Sequence, residues 1–443
     1  MSTQIKWLDD IILPERTADL GLLEGIEVAS YPSSSLCLLC KGGRMLCGKL
    51  RCPVIAKAQS LAKYGQMLDS DVVDGSTPPG VFVGRMGYPR VYIGPMVPPY
   101  HGDTEILDTP EMWMGKSIEQ IIDYRFSLIR GKARASVYDA QSGGGLLEKL
   151  QELAMGVHPA DSQVTFTKKP RKILSLSEET QPFGPSAPLK SFRTSHVSVD
   201  KRIEKAYYDG DLKAAEAFWG LYRKGVLVTR IQRALSIGMF GVGQRRKLVP
   251  TRWSITAVDS GLSLRLVDEI KQHETIDEYR VYSFRNLDNI FVAILMPERW
   301  SFEWIEAWFP KTTWNVDGTA PALMGDYESY GGRTTYASVG GCYYSTRLAA
   351  AERLSMERRQ ASALVLREIH PGYIVPVGVW NVRESVRSTL KTQPAKFDVL
   401  QKALGYASSK LTIPLRKWIE NSVMLKQALF QKKITDFLHG DRN

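Results

Sequence analysis

Four of the chain's five cysteines lie between Cys37 and Cys52, spaced Cys37-x2-Cys40-x6-Cys47-x4-Cys52. Four thiolates surround one zinc ion tetrahedrally, and a C-x-x-C turn lets two neighbours grip the same metal. Gly42, Gly43 and Gly48 supply the backbone freedom such knuckles need. Lys41, Arg44, Lys49 and Arg51 lie among the thiols, lowering their pKa values and offsetting the charge of a four-thiolate site. With every position filled by protein, no reactive water remains, so the expected zinc is structural, one per chain. An iron–sulfur cluster uses the same ligand set and is the main rival.

An odd cysteine count gathered in one cluster argues against a secreted disulfide framework and for reduced thiols in the cytosol. The first twenty residues mix charge with apolar side chains, unlike a signal peptide, and the longest apolar runs, such as 291–297, are strand-length. The expectation is a soluble, cytoplasmic, nucleoid-associated protein with no membrane segment. Lys and Arg outnumber Asp and Glu by 58 to 47, giving a net charge of +11 that is spread along the chain. Such a surface suits nucleic acid, an anionic membrane or an acidic partner, and also serves plain solubility.

At 443 residues the chain is too long for one average domain. The expected parts are an N-terminal knuckle segment (1–60), a mixed α/β region (61–155), a proline-rich linker or long loop (156–190), an α+β core (191–430) and a flexible tail (431–443). Short strands are predicted at 81–84 and 91–94. Thr109, Pro110 and Glu111 form a helix-start signature, with an apolar stripe from Trp113 to Ile129 behind it and Gly131 as its end. Helices are predicted over 200–208 and 211–223, the second closed by Gly225, and over 345–369 and 414–430. Strands are predicted at 226–229, 253–258, 279–284, 290–296 and 374–380, with Asn286 to Asn289 forming a hairpin turn. Helices and strands do not alternate regularly, which favours α+β with a mixed sheet and flanking helices over a doubly wound fold.

The chain ends on Gln431-Lys-Lys-Ile434-Thr-Asp-Phe437-Leu438 and five further residues. One 3₁₀ turn from Ile434 gathers Ile434, Phe437 and Leu438 as a three-pronged apolar plug, and the Gln431 amide can pair with backbone at a groove rim. This is the pattern of peptides that dock on the sliding clamp PCNA. The blander reading is that these residues extend the last helix onto the core.

A four-cysteine knuckle near the start and a clamp-docking pattern at the end flank Val83-Gly-Arg-Met-Gly-Tyr-Pro89 and Val249-Pro-Thr-Arg-Trp-Ser-Ile-Thr-Ala-Val-Asp259. Together these resemble the archaeal Nre family across essentially the whole chain. The resemblance implies a role in DNA damage repair and PCNA binding through Gln431, Ile434, Phe437 and Leu438. It also implies a metal on Cys37, Cys40, Cys47 and Cys52.

The leading phosphate-binding candidate is Gly238-Met-Phe-Gly-Val-Gly-Gln-Arg245-Arg246-Lys247, where glycines expose amides ahead of three cations. A flexible basic turn explains it equally well. Arg85, Arg90, Arg333 and Arg347 sit in similar loops, and Tyr336, Tyr343 and Tyr344 are candidates for base stacking. For chemistry, His101, Asp103, Glu105 and Asp108 form the richest acidic constellation, which as a Mg²⁺ site would make a clamp-tethered nuclease; capping and turn roles compete. Cys342 reads as a small buried residue rather than a nucleophile.

Overall fold

The computed structural model describes residues 27–29, 40, 44–49, 51–141, 143–171, 173–175 and 182–431. The chain divides into two compact units, one of Met1–Arg265 with Pro371–Asn381 and one of Leu266–His370 with Val382–Asn443. The fold is α+β, as expected. Among the described residues no helix is long and apolar enough to cross a membrane.

The first unit is built on a six-stranded mixed sheet with the order β2-β6-β8-β5-β4-β3. Its strands are β2 (Val72–Thr77), β3 (Val81–Val83), β4 (Arg90–Val97), β5 (Ile129–Ser136), β6 (Ala160–Phe166) and β8 (Ser186–Thr194). A separate parallel pair joins β1 (Glu27–Ala29) to β7 (Ile173–Ser175). Neighbours in the main sheet run antiparallel except β5 and β8. Period-two alternation turns Val91, Ile93, Ile129, Val164 and Phe192 into the core. Among the described residues the helices that lie wholly or largely in this unit are α1 (Pro53–Gly65), α2 (Ile118–Ser127), α3 (Gly145–Met155), α4 (Lys201–Tyr208), α5 (Ala214–Arg223), α6 (Val228–Ser236) and α7 (Thr251–Ile270).

Several expectations fail here for physical reasons. The stretch 156–190 is not a linker: β6 and β8 come from it, and its prolines sit at strand starts and in the connection between strands. The predicted helix after Trp113 is shorter, capped by a Ser117–Gln120 capping box and ending where the chain extends into β5. The runs 226–229 and 253–258 are not strands: the first is a short connection that enters α6 at Val228, and the second lies in α7. Val258, Leu262, Leu266 and Ile270 recur at every fourth position and are all buried, a period visible only across several turns. Helices α4 and α5 match expectation, and Gly225 follows α5 at φ +76°.

The second unit holds a mixed sheet of order β12-β11-β13-β10-β9-β14. These are β9 (Tyr279–Asn286), β10 (Asn289–Met296), β11 (Ser301–Trp308), β12 (Ala322–Glu328), β13 (Ser362–Ile369) and β14 (Ala395–Phe397). The β9–β10 hairpin forms as predicted. Leu287 and Asp288 both take positive φ, 49° and 56°, which is the type I′ twist that matches the strands. Asn289 Nδ2 donates back to the Leu287 carbonyl at 2.7 Å.

Among the described residues the further helices are α8 (Gly341–Glu357), α9 (Val379–Lys391), α10 (Leu400–Ser408), α11 (Leu415–Asn421) and α12 (Val423–Phe430). One face of this sheet, with Val292, Ile294, Ile305, Leu364 and Leu366, packs on Leu404, Trp418 and Leu425 of α10 to α12. The helix predicted over 345–369 breaks at Arg358, in the left-handed conformation, and the rest becomes β13. Every residue of β13 is buried, so its apolar run is continuous rather than alternating and mimics a helix in sequence. The strand predicted at 374–380 is instead loop followed by α9. The predicted 414–430 helix is split at Ser422, whose hydroxyl caps α12 and donates to the buried Glu303 carboxylate at 2.5 Å. Glu303 also accepts the Val423 and Met424 amides at 2.7 and 3.0 Å. A carboxylate at a helix N-terminus is favourable there, even though burial pushes its pKa up.

Candidate nucleic-acid interface

The cations worth following converge on one edge of the first unit. β5 alternates Arg130, Lys132 and Arg134 on one face, and its register sets Arg134 opposite Tyr92 and Ser136 opposite Arg90. The Arg134 guanidinium stands 4.3 Å from the Tyr92 ring centroid, and Lys132 stands 6.0 Å from the same ring. Arg130 lies between Phe82 and Phe183, at 5.7 and 4.8 Å. Burial, aided by Arg125, pushes its pKa down to about 10, so it still carries charge at neutral pH.

The β3–β4 turn carries exposed Arg85, Met86, Tyr88 and Arg90. Gly87 holds φ +82°, and a Cβ there would meet the Arg90 carbonyl at 2.8 Å, so the turn needs glycine. Backbone hydrogen bonds then join three sequence-distant segments. Val137 N–H donates to the Pro89 carbonyl at 2.9 Å, and Leu248 N–H donates to the Val137 carbonyl at 2.8 Å. Lys247 therefore reaches Tyr138, with its Nζ 4.9 Å from the ring centroid. Thr251 Oγ1 accepts the Val83 amide at 3.0 Å, bringing Trp253 to Tyr88 with ring centroids 5.3 Å apart at 51°. Asp139, in the same stretch, turns its carboxylate onto the Ser136 amide at 2.7 Å.

Of the predicted nucleic-acid residues, Arg85, Arg245 and Lys247 are exposed in this unit, whereas Arg246 is structural. Its Nε donates to the Gly241 carbonyl at 2.9 Å and its Nη2 to the Asp209 carbonyl at 3.0 Å. The glycine loop is no free amide cradle either: Gly238 and Gly243 N–H groups bond the carbonyls of Leu235 and Gly210. Arg333 and Arg347 lie in the second unit and are committed inside it. Arg333 holds Asp326 at 3.2 Å and the Thr335 carbonyl at 2.9 Å, while Arg347 pairs with Glu328 at 2.7 Å in the core. Tyr343 and Tyr344 are buried, and Tyr336 is exposed. Tyr88, Tyr138, Trp253, Lys132 and Arg134 escape the sequence reading; the period-two cations of β5 were the available signal for the last two.

The acidic constellation does not form a metal shell. Asp108 is buried with Arg125 at 2.7 Å and Arg233 at 2.9 Å, so guanidinium groups occupy both its oxygens. Asp103 accepts the Glu105 amide in a local turn. His101 instead faces Asp161 at 3.0 Å and Asp74 at 3.4 Å, and Ser76 Oγ donates to Asp161 at 2.7 Å. The imidazole pKa is raised above its usual value, first by the Asp161 hydrogen bond.

Of the cysteine cluster, Cys37 lies outside the described residues. Cys40 is buried and its Sγ accepts the Leu46 amide at 3.5 Å. Met45 and Gly48 take positive φ, 47° and 68°, and the Gly48 amide closes the turn on the Met45 carbonyl. Burial raises the Cys52 thiol pKa above its ordinary value, against the backbone amides of Ile55 and Val54, which lower it. Among the described residues no three His, Cys, Asp or Glu side chains are already gathered as a metal shell. Of the terminal pattern, Gln431 caps α12, and Ile434, Phe437 and Leu438 lie outside the described residues.

Two family models match, archaeal Nre N-terminal over residues 46–315 and archaeal Nre C-terminal over residues 328–437. The chain belongs to the archaeal Nre family. Among Nre relatives, the DNA repair protein NreB of Archaeoglobus fulgidus is 46% identical, over 91% of this chain and 100% of its own length. The DNA repair protein NreA of the same organism is 38% identical over 85% of this chain and 93% of its own. The DNA repair protein NreA of Haloferax volcanii is 35% identical over 85% and 91%. No solved structure matches the chain.

Proposed function

We propose that the protein is a DNA repair factor that holds DNA on the basic rim of its first unit and is recruited by the sliding clamp PCNA. The relatives named as DNA repair proteins support the first part. The observation that carries the DNA contact is the gathering of exposed Arg85, Arg90, Arg134, Arg252 and Lys247 along the edge built by β3, β4, β5 and the start of α7. Clamp docking rests on the Gln431, Ile434, Phe437, Leu438 pattern. One structural zinc on Cys37, Cys40, Cys47 and Cys52 would anchor the segment ahead of α1.

The DNA contact is tested by measuring duplex affinity across a salt series for the wild type and an Arg245→Ala, Lys247→Ala variant. Arg246 is left in place because it ties its loop together. Each phosphate contact releases condensed counterions, so the log–log slope should flatten by about one unit per lost contact. A slope that does not change removes this loop from the interface.

A further inference from the structure

The rim carries more open ring surface than phosphate binding requires. Met86, Tyr88, Tyr138 and Trp253 are 75%, 50%, 52% and 47% exposed. Large exposed side chains gathered beside cations mark an interaction site rather than ordinary surface. Duplex phosphates are met by cations, amides and hydroxyls, and a duplex offers no free base face to a ring, because its bases already stack on one another. Unpaired bases present free π faces, and aromatic side chains bind them whatever their identity.

The two central rings project from backbone that is tied by hydrogen bonds. The Tyr88 amide donates to the Arg85 carbonyl at 3.4 Å, and Arg90 N–H closes the turn on Gly87 at 2.9 Å. Trp253 sits in the first turn of α7, which Thr251 Oγ1 pins to Val83 at 3.0 Å and to Ser236 Oγ at 3.1 Å. The rings are tilted at 51° rather than stacked, and both residues remain about half exposed to solvent.

We infer that this rim takes single-stranded DNA, with an unpaired base stacking on Tyr88 and Trp253 while Arg85, Arg90, Arg252 and Lys247 neutralise flanking phosphates. The inference rests on the DNA-binding reading above and names its substrate class.

Three labelled probes of equal length test it on the full chain: an oligothymidylate of about 16 nucleotides, an abasic strand with the same phosphates, and a duplex. The oligothymidylate should bind tightest. Tyr88→Ala and Trp253→Ala should each weaken it by about 5- to 150-fold, the range of one lost base–ring stack. Duplex binding and the thermal melt should stay unchanged, and Tyr88→Phe and Trp253→Phe should restore stacking. Equal affinity for the abasic strand, or alanine variants that bind oligothymidylate normally, overturns the inference. Duplex bound as tightly as single strand overturns it too, but leaves the DNA-binding reading standing. Failure to bind any of the three at low salt removes both.

Discussion

Arg347 donates to Glu328 at 2.7 Å with the two side chains only 2% and 1% exposed. Trp300 Nε1 adds a second donor to the same carboxylate at 3.2 Å, and the guanidinium lies over the rings of Tyr343 and Tyr344. Taking such a pair out of water is costly, and the attraction offsets that cost only while both partners are present.

Replacing Arg347 with Met leaves Glu328 buried opposite no cation at that position. The second unit should lose about 3–5 kcal/mol, read as a shifted urea transition. Adding Glu328→Gln should recover much of the loss, because it removes the stranded charge. Were the single variant as stable as wild type, the buried pair would contribute nothing.

His101 bridges β2 and β6 through Asp74 and Asp161, and its pKa is raised by the Asp161 hydrogen bond and the charges of both aspartates. A raised histidine stabilises the fold fully below its unfolded value of about 6.5, and the contribution fades as pH climbs through the folded value. Asp161, held below the usual carboxylate range by Ser76 and His101, loses its share as pH falls through that lowered value. The clasp should therefore be strongest in mildly acidic solution and weaken in high salt. An NMR titration of the His101 ring should show a midpoint above 6.5, lowered by Asp161→Asn. A midpoint at or below 6.5 in the wild type would refute the clasp.

Freshly purified protein should contain about one zinc per chain. Cys40→Ser or Cys52→Ser should release it and lower the melting temperature of the first unit, as should a strong chelator. Zinc near zero, or the visible absorption of an iron–sulfur cluster, would defeat this assignment.

A synthetic peptide of residues 431–443 should bind PCNA with roughly micromolar affinity, since three large apolar side chains each contribute about 1.5–3 kcal/mol against the ordering of the tail. In the full chain, Phe437→Ala with Leu438→Ala should abolish clamp binding without moving the melt or the zinc content. A variant that still binds PCNA normally would remove these residues from the docking site, and one that unfolds would place them in the core instead.

What could be read from the sequence was whatever local spacing decides. The Asn286 to Asn289 turn needs only its own dihedral preferences, α4 carries its Asp200 cap next to its first residue, and α5 carries its closing Gly225 within two residues of its end. The Nre resemblance came from short motifs for the same reason. Windows failed where burial overrides periodicity. In sequence the fully buried β13 resembles a helix, and the start of α7 resembles a strand because its apolar period shows only over several turns. Charge was the least legible property. Arg246, Arg333 and Arg347 look in sequence like Arg85 and Arg245, yet backbone carbonyls and buried carboxylates engage the first three. Only tertiary structure separates them, because a cation's availability depends on which acceptors folding brings within about 3 Å. The same holds for Tyr88 and Trp253: no spacing links them, and they meet where the Thr251 hydroxyl binds the Val83 amide.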